Sequence, residues 1–320
     1  MRICLMVEGQ EDVTWEQWLA LAGACEDAGL EGLFRSDHYT SVFGVLDRGS
    51  LDAWTTLAGI AARTERIRLG TLVSPATFRH PSVLARAAAT VDHISGGRVE
   101  LGLGAGWYEL EHRAHGFEFP ETRVRLELFA EQLEIINRQW TEEAFTFSGR
   151  HYELADCRAL PKPVQRPRPP LIVGGMAHPG TIGPAVRFAD EYNTAFALPA
   201  ACRERRQRLT EACERAGRDP ASLVFSFMTA CVVAEDRHSL FERVRRVMRV
   251  MGNDGDPEAF LKESPEGWVV GTVDEVVDQL LELEEAGVER IMLQHLAHDD
   301  LDMVALLGSE VLPRVSRAAP

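Results

Sequence analysis

The sequence predicts an α/β fold, a (β/α)8 TIM barrel, on three observations. Eight short, continuously apolar runs recur along the chain, and stretches of helical periodicity separate them. Strands buried on both faces read as unbroken apolar runs of this kind. The length, 320 residues, is common for a barrel that folds as one unit. Eight β/α units favour a closed barrel over an open doubly wound sheet, which is the alternative.

The elements follow in order. "RICLMV" (2–7) is the first strand, and Trp15, Trp18, Leu19, Ala22 and Cys25 then recur at helical spacing. "EGLFRS" (31–36) is the second. Ser50 is placed to cap a helix whose face is Trp54, Leu57, Ala58 and Ala61. "RIRLGTLVS" (66–74) is the third. Pro81 suits the first turn of a helix carrying Val83, Leu84, Ala87, Ala88, Val91 and Ile94, which Gly96-Gly97 ends. "RVELGLG" (98–104), "PLIVGG" (170–175), "EYNTAFA" (191–197), "LVFSFMTACVV" (223–233) and "ERIMLQHL" (289–296) complete the eight. Before the last, Thr272 and Glu275 form a capping box, Val273, Val276, Val277 and Leu280 make the helix face, and Gly287 closes it.

Two stretches break the rhythm. Residues 141–170 contain a hairpin pattern around Ser148-Gly149, then a loop with Pro161, Pro163, Pro167, Pro169 and Pro170. Residues 235–270 add a helix and the turn-rich "GNDGDPE". Insertions of this kind sit on the loops that shape a barrel's site. No repeat or second domain is visible, so one domain over residues 1–320 is expected.

The formal net charge is −15. Such a chain has no general attraction for nucleic acid or an anionic membrane, and an anionic ligand must be held by local donors. The six cysteines form no C-x-x-C pair, and no leader pattern precedes the first strand. Reduced thiols and a cytoplasmic location are expected. No apolar run approaches the ~18 residues of a membrane span.

Barrels carry their chemistry at the carboxyl ends of the strands. Those ends hold Ser36-Asp37-His38, Leu72-Val73-Ser74, Gly102 to His112, Gly174 to Gly180, Asn193-Thr194 and Gln294-His295. "GLGAG" and "GGMAHPG" let backbone approach a ligand closely and aim amide groups at an anion, so a bound phosphate is expected there. His38 stands beside Asp37 where a buried strand stops, which suits proton transfer near neutral pH. Trp107 and Tyr108, directly after Gly106, suit a wall against a flat ring, whereas Trp54 and Trp140 fit helix packing. His112/His115 and His295/His298 have i, i+3 spacing, but neither pair has a third ligand in view, so no metal site is expected.

Together, "SDH", "RIRLGTLVSPATFRHP", "SGGRVELGLGAGWYELEH", "ALPKPVQRPRPPLIVGG" and "RFADEYNT" resemble the luciferase-like monooxygenase superfamily. The closer resemblance is to its oxidoreductases that use the deazaflavin coenzyme F420. It runs from about residue 1 to about residue 315. It implies a (β/α)8 barrel, a homodimer, and a flavin-like ring against a non-proline cis peptide at Leu72-Val73. It further implies that Asp37 and His38 lie beside the ring. Gly104, Ala105, Gly106 and Trp107, with Gly174, Gly175 and Met176, would hold the cofactor and its phosphate. One departure stands out. The F420-dependent glucose-6-phosphate dehydrogenases carry a Glu directly after this G-x-G, where this chain has Trp107, with Glu109 or Glu111 as possible substitutes. Sugar-phosphate oxidation is therefore not expected.

The function expected from these readings is hydride transfer between F420 and a small organic substrate with a reducible C=C, C=N or C=O. His38 would move the proton, and Asp37 would orient it or bond the ring. An FMN-dependent monooxygenase and a non-catalytic flavin-binding relative are the alternatives.

Overall fold

The computed structural model describes residues 1–263 and 267–316. The strands are β1 (Arg2–Val7), β2 (Gly32–Arg35), β3 (Arg68–Pro75), β4 (Val99–Gly104), β5 (Phe145–Ser148), β6 (Glu153–Cys157), β7 (Leu171–Gly174), β8 (Glu191–Ala195), β9 (Val224–Ala234), β10 (Val269–Thr272) and β11 (Arg290–Gln294). Parallel pairing in the order β11-β1-β2-β3-β4-β7-β8-β9, with β9 returning to β11, closes an eight-stranded barrel. The eight barrel strands are the eight apolar runs, each within two residues of its expected bounds.

Alternation along each strand sorts the side chains. On β1, Ile3, Leu5 and Val7 face outward into the layer between strands and helices. Cys4 and Met6 face the lumen, where they meet Phe34, Leu72, Ile172 and Met292. At the amino-terminal end of the lumen, Arg290 bonds Glu100 at 2.7 Å, Glu191 at 2.9 Å and Glu31 at 2.8 Å, and Arg68 also pairs with Glu100. Arg290, Glu100 and Glu191 are buried, and their mutual pairing offsets the cost of burying charge, although Glu191 Oε1 has no partner among the described residues.

The surrounding helices begin with α1 (Trp15–Asp27), α2 (Ala53–Ala61), α3 (Pro81–Ser95), α4 (Glu109–His115) and α5 (Thr122–Thr141). They continue with α6 (Pro179–Phe188), α7 (Pro199–Arg215), α8 (Arg237–Val250), α9 (Pro257–Glu263) and α10 (Val273–Glu285). The capping box at Thr272 and Glu275 is present, and Gly96 ends α3 in the left-handed region at φ 67°. Ser50 does not cap α2. Its hydroxyl donates to the His38 carbonyl, and Asp52 caps the helix by accepting from the Thr55 amide. Trp18, Leu21, Ala22 and Cys25 form the buried face of α1, whereas Trp15 is partly exposed. On α3, Val83 and Ile94 are exposed.

β5 and β6 form the expected antiparallel hairpin. In the second insertion the sequence reading missed a strand. β9 runs four residues past its pairing with β11, and β10 pairs in parallel with that extension, Val269 opposite Cys231. The satellite core beneath it joins Val232, Leu240, Val244 and Leu296 with Phe43 from the loop after β2. Among the described residues, no helix is long and apolar enough to cross a membrane.

Candidate active site

The carboxyl end of the barrel gathers the strand-end residues. β3 carries an irregularity between Thr71 and Ser74, and the Leu72-Val73 peptide within it is cis, as the resemblance implied. The bulge pushes Val73 toward β4 and β7. A Cβ on Gly104 would lie 2.7 Å from Val73 Cγ2, and one on Gly174 would lie 3.2 Å from Val73 Cγ1. These glycines are therefore explained by the bulge. Gly175 spends its amide on the Asn193 carbonyl, and a Cβ there would meet the Tyr192 hydroxyl at 2.5 Å. Only Gly106 needs its freedom for conformation, at φ 81°. The outcome is a floor made of Val73 and bare backbone, with no side chain standing over it from residues 104 and 174.

His38 follows β2 at the same end of the barrel. Its Nδ1–H donates to Glu111 Oε1 at 2.7 Å, and Glu111 Oε2 accepts from the Tyr39 amide at 3.0 Å. Glu111 comes from α4, whose short run follows the Gly106 turn. Burial pulls the His38 imidazole down, but the Glu111 hydrogen bond and charge, with Glu8 and Asp37 behind them, outweigh it and hold the pKa above its ordinary value. Among the described residues Nε2 has no hydrogen-bond partner. Trp107 meets the imidazole edge-on, ring centres 5.7 Å apart, and stacks on Tyr108 at 5.0 Å. Trp107 is 64% exposed.

Asp37 is placed differently from expectation. It does not hold the imidazole. Its Oδ2 accepts from Ser74 at 2.6 Å and pairs with Arg79 at 2.5 Å, and Arg79 also pairs with Asp52. Ser74 accepts from the Trp54 indole, so Asp37 is tied through β3 to helix α2. The orienting carboxylate is Glu111, which sequence reasoning named only as a stand-in for a missing acid. Its signal was available: Glu111 lies one turn into a helix that starts at the strand-four mouth.

The other strand ends are sorted as follows. Asn193 donates to Ser226 inside the barrel, and Thr194 accepts from Arg205. Met176 is 42% exposed beside the floor. His112 donates Nδ1–H to the Tyr108 carbonyl, which leaves Nε2 to accept from Thr77, so it is a structural histidine fixing the 105–108 turn. Trp54 and Trp140 are buried, as packing requires. His295 is fully buried, with no hydrogen-bond partner on either ring nitrogen among the described residues.

A model of the luciferase-like monooxygenase family matches residues 3–290. The chain belongs to that family. Over 168 residues it is 37% identical to an F420-dependent glucose-6-phosphate dehydrogenase of Kineococcus radiotolerans, covering 52% of this chain and 48% of that protein. Over 222 residues it is 32% identical to the pyrimidine monooxygenase RutA of Pseudomonas syringae pv. syringae, covering 67% and 58%. These matches span about half the length of each relative. An F420-dependent secondary alcohol dehydrogenase, solved with an F420–acetone adduct, superposes with a TM-score of 0.83 over 99% of both chains at 21% identity. At that identity the likeness is one of fold. The family thus joins F420-dependent and oxygen-using members on one barrel.

Proposed function

We propose that this chain is an F420-dependent oxidoreductase acting on a small organic substrate, with His38 as its proton donor and acceptor. The observation that carries the reading is the Glu111–His38 pair, which leaves Nε2 without a hydrogen-bond partner among the described residues at the same end of the barrel as Val73, Gly104 and Gly174. A flat ring fits there: residues 104 and 174 add no side chain to the floor, Leu72 and Val73 form its backing, and the exposed Trp107 would close one side. Ala105, Gly106, Gly175 and Met176 would border the rest of the cofactor, and Asp37, fixed by Arg79 and Ser74, would face its edge. Bound F420 supplies or accepts a hydride.

The protein's own residues do the remainder. Glu111 keeps the His38 imidazolium populated above the ordinary histidine range, so Nε2 holds a proton ready for a developing alkoxide, amide or carbanion. In the reverse direction the same nitrogen takes the proton away. Tyr39 and Ser50 fix the backbone of this residue through Glu111 and the His38 carbonyl, which limits the rotation that would spoil proton transfer. Trp107 and Tyr108 restrict water at the imidazole.

An FMN-dependent monooxygenase is the second reading, supported by the RutA relationship. Equilibrium titration with F420 and FMN, followed by single-turnover hydride transfer and oxygen uptake, separates them. The expected result is tighter F420 binding and hydride transfer without oxygen consumption. Tighter FMN binding with oxygen uptake would overturn the proposal in favour of the second reading.

A further inference from the structure

Two residues past Met6, Glu8 continues the lumenal face of β1, and Gln294 continues that of β11. Both lie at the mouth, across the barrel from β7. Glu8 is 6% exposed and makes no ion pair among the described residues. Its carboxylate is held by two amides instead: Gln294 Nε2 donates to Oε1 at 2.5 Å and Gln10 Nε2 donates to Oε2 at 2.7 Å. The nearby guanidinium, Arg35, points the other way. It lies over Trp18 and donates to the Ser36 and Leu51 carbonyls.

This network fixes every orientation. A carboxylate only accepts, so both glutamines must turn nitrogen toward Glu8. Gln10 then uses its oxygen to accept from Ser36 at 2.5 Å, and Ser36 accepts in turn from the Gly9 amide. Gln294 has no such neighbour. The side chain is 5% exposed, yet its Oε1 has no hydrogen-bond partner among the described residues. The free capacity of this network itself consists of acceptors: Gln294 Oε1 and the remaining lone pairs of the Glu8 carboxylate. A buried charge without a partner is costly, and the complement of these groups is a cationic donor. The surroundings agree. Asp37 and Asp52 are paired with Arg79, Glu11 with Arg48 and Glu111 with His38, which leaves Glu8 as the carboxylate of this group without an ion-pair partner among the described residues, and Trp107 and Tyr108 offer ring faces to a cation.

We propose that Glu8, oriented by Gln10 and Gln294, recognises the substrate and selects a molecule with a protonated nitrogen, an ammonium or iminium group, near the reacting carbon. The proposal rests on the oxidoreductase reading above for the site's use, while the recognition chemistry stands on the Glu8 network. Anionic substrates, sugar phosphates among them, are disfavoured by the same charge.

The test uses three matched probes, benzylammonium, benzyl alcohol and benzoate, titrated calorimetrically into the full chain with and without oxidised F420. The expected result is at least tenfold tighter binding of benzylammonium than of benzoate. Glu8→Gln should cut benzylammonium affinity about tenfold, the scale of one charged hydrogen bond, and bring the probes together. The wild-type comparison stands even if that variant does not fold. Equal binding of the probes, a preference for benzoate, or a Glu8→Gln protein that loses F420 affinity while keeping its probe preference overturns the proposal. If the protein binds neither F420 nor FMN but selects the ammonium through Glu8, the oxidoreductase reading fails and the recognition site stands. If hydride transfer depends on His38 but no ammonium preference appears, the reverse holds.

Discussion

Glu111→Gln is the sharpest perturbation of the proposed proton-transfer pair. Glutamine keeps the shape but offers one acceptor oxygen to two donors: when that oxygen accepts from the Tyr39 amide, now 3.0 Å from Glu111 Oε2, the NH2 group faces His38 Nδ1 and can donate only to the neutral ring. What disappears is the charge 2.7 Å from His38 Nδ1, on a side chain that is 1% exposed. A hydrogen bond to a charged group contributes roughly 1.5–3 kcal/mol and a neutral one roughly 0.5–1.5 kcal/mol. The imidazolium should therefore lose the charged bond, about 1.5–3 kcal/mol, while a neutral bond can form only to the deprotonated ring, a roughly ten- to hundredfold fall in the protonated fraction on the alkaline side of its titration. The assay is the NMR titration of the His38 ring proton, assigned by its absence in His38→Ala, beside the pH profile of single-turnover hydride transfer. Both midpoints should move to lower pH, with little loss of rate well below them. The sign follows from the raised pKa: the pair stabilises the fold fully below the ordinary histidine value of 6.5 and loses that contribution as pH rises through the raised one. Superimposable titrations for wild type and variant would refute the reasoning, because they would show that Glu111 does not control the charge on His38.

His38→Ala should leave the fold intact and lower turnover ~10²–10⁴-fold, the usual contribution of a positioned acid–base group, while F420 affinity by titration changes far less; unchanged turnover removes His38 from the chemistry. Gly104→Ala should cost about 1–3 kcal/mol in chemical denaturation, because its Cβ would lie 2.7 Å from Val73 Cγ2. Adding Val73→Ala should recover most of that loss, and an additive double variant would show that Val73 is not the obstacle. His295 is pushed down from 6.5 to about 4 by burial, so the unfolded chain binds its proton first. Stability should be full above pH 6.5 and fall by about 3 kcal/mol toward pH 4. Buried His298, pushed down to about 3, adds a like fall, so His295→Leu should make that part of the stability–pH curve shallower without flattening it, and an unaltered curve would exclude His295 as a source.

The sequence by itself determined the barrel. Continuous apolar runs such as "RICLMV" and "LVFSFMTACVV" are what a strand buried on both faces requires, and local signals such as Pro81, Gly96 and the Thr272–Glu275 box punctuate the helices because each acts within one turn. It also determined where the site lies, since strand ends are read from the points where those runs stop, and so it reached His38, Trp107 and the 104–106 turn. Partners distant in the chain were decided only by the tertiary structure. Asp37 adjoins His38 in sequence, yet neighbouring residues on an extended chain point apart, and the acid that meets the imidazole is Glu111, 73 residues away. Likewise, the contact of Val73 with Gly104 and Gly174 was set by the bulge in β3, and Glu8 met its partner only when closure of the barrel brought Gln294, 286 residues later, within 2.5 Å. Propensity and periodicity report what each residue needs locally, whereas a site is made of the contacts that closure of the sheet enforces.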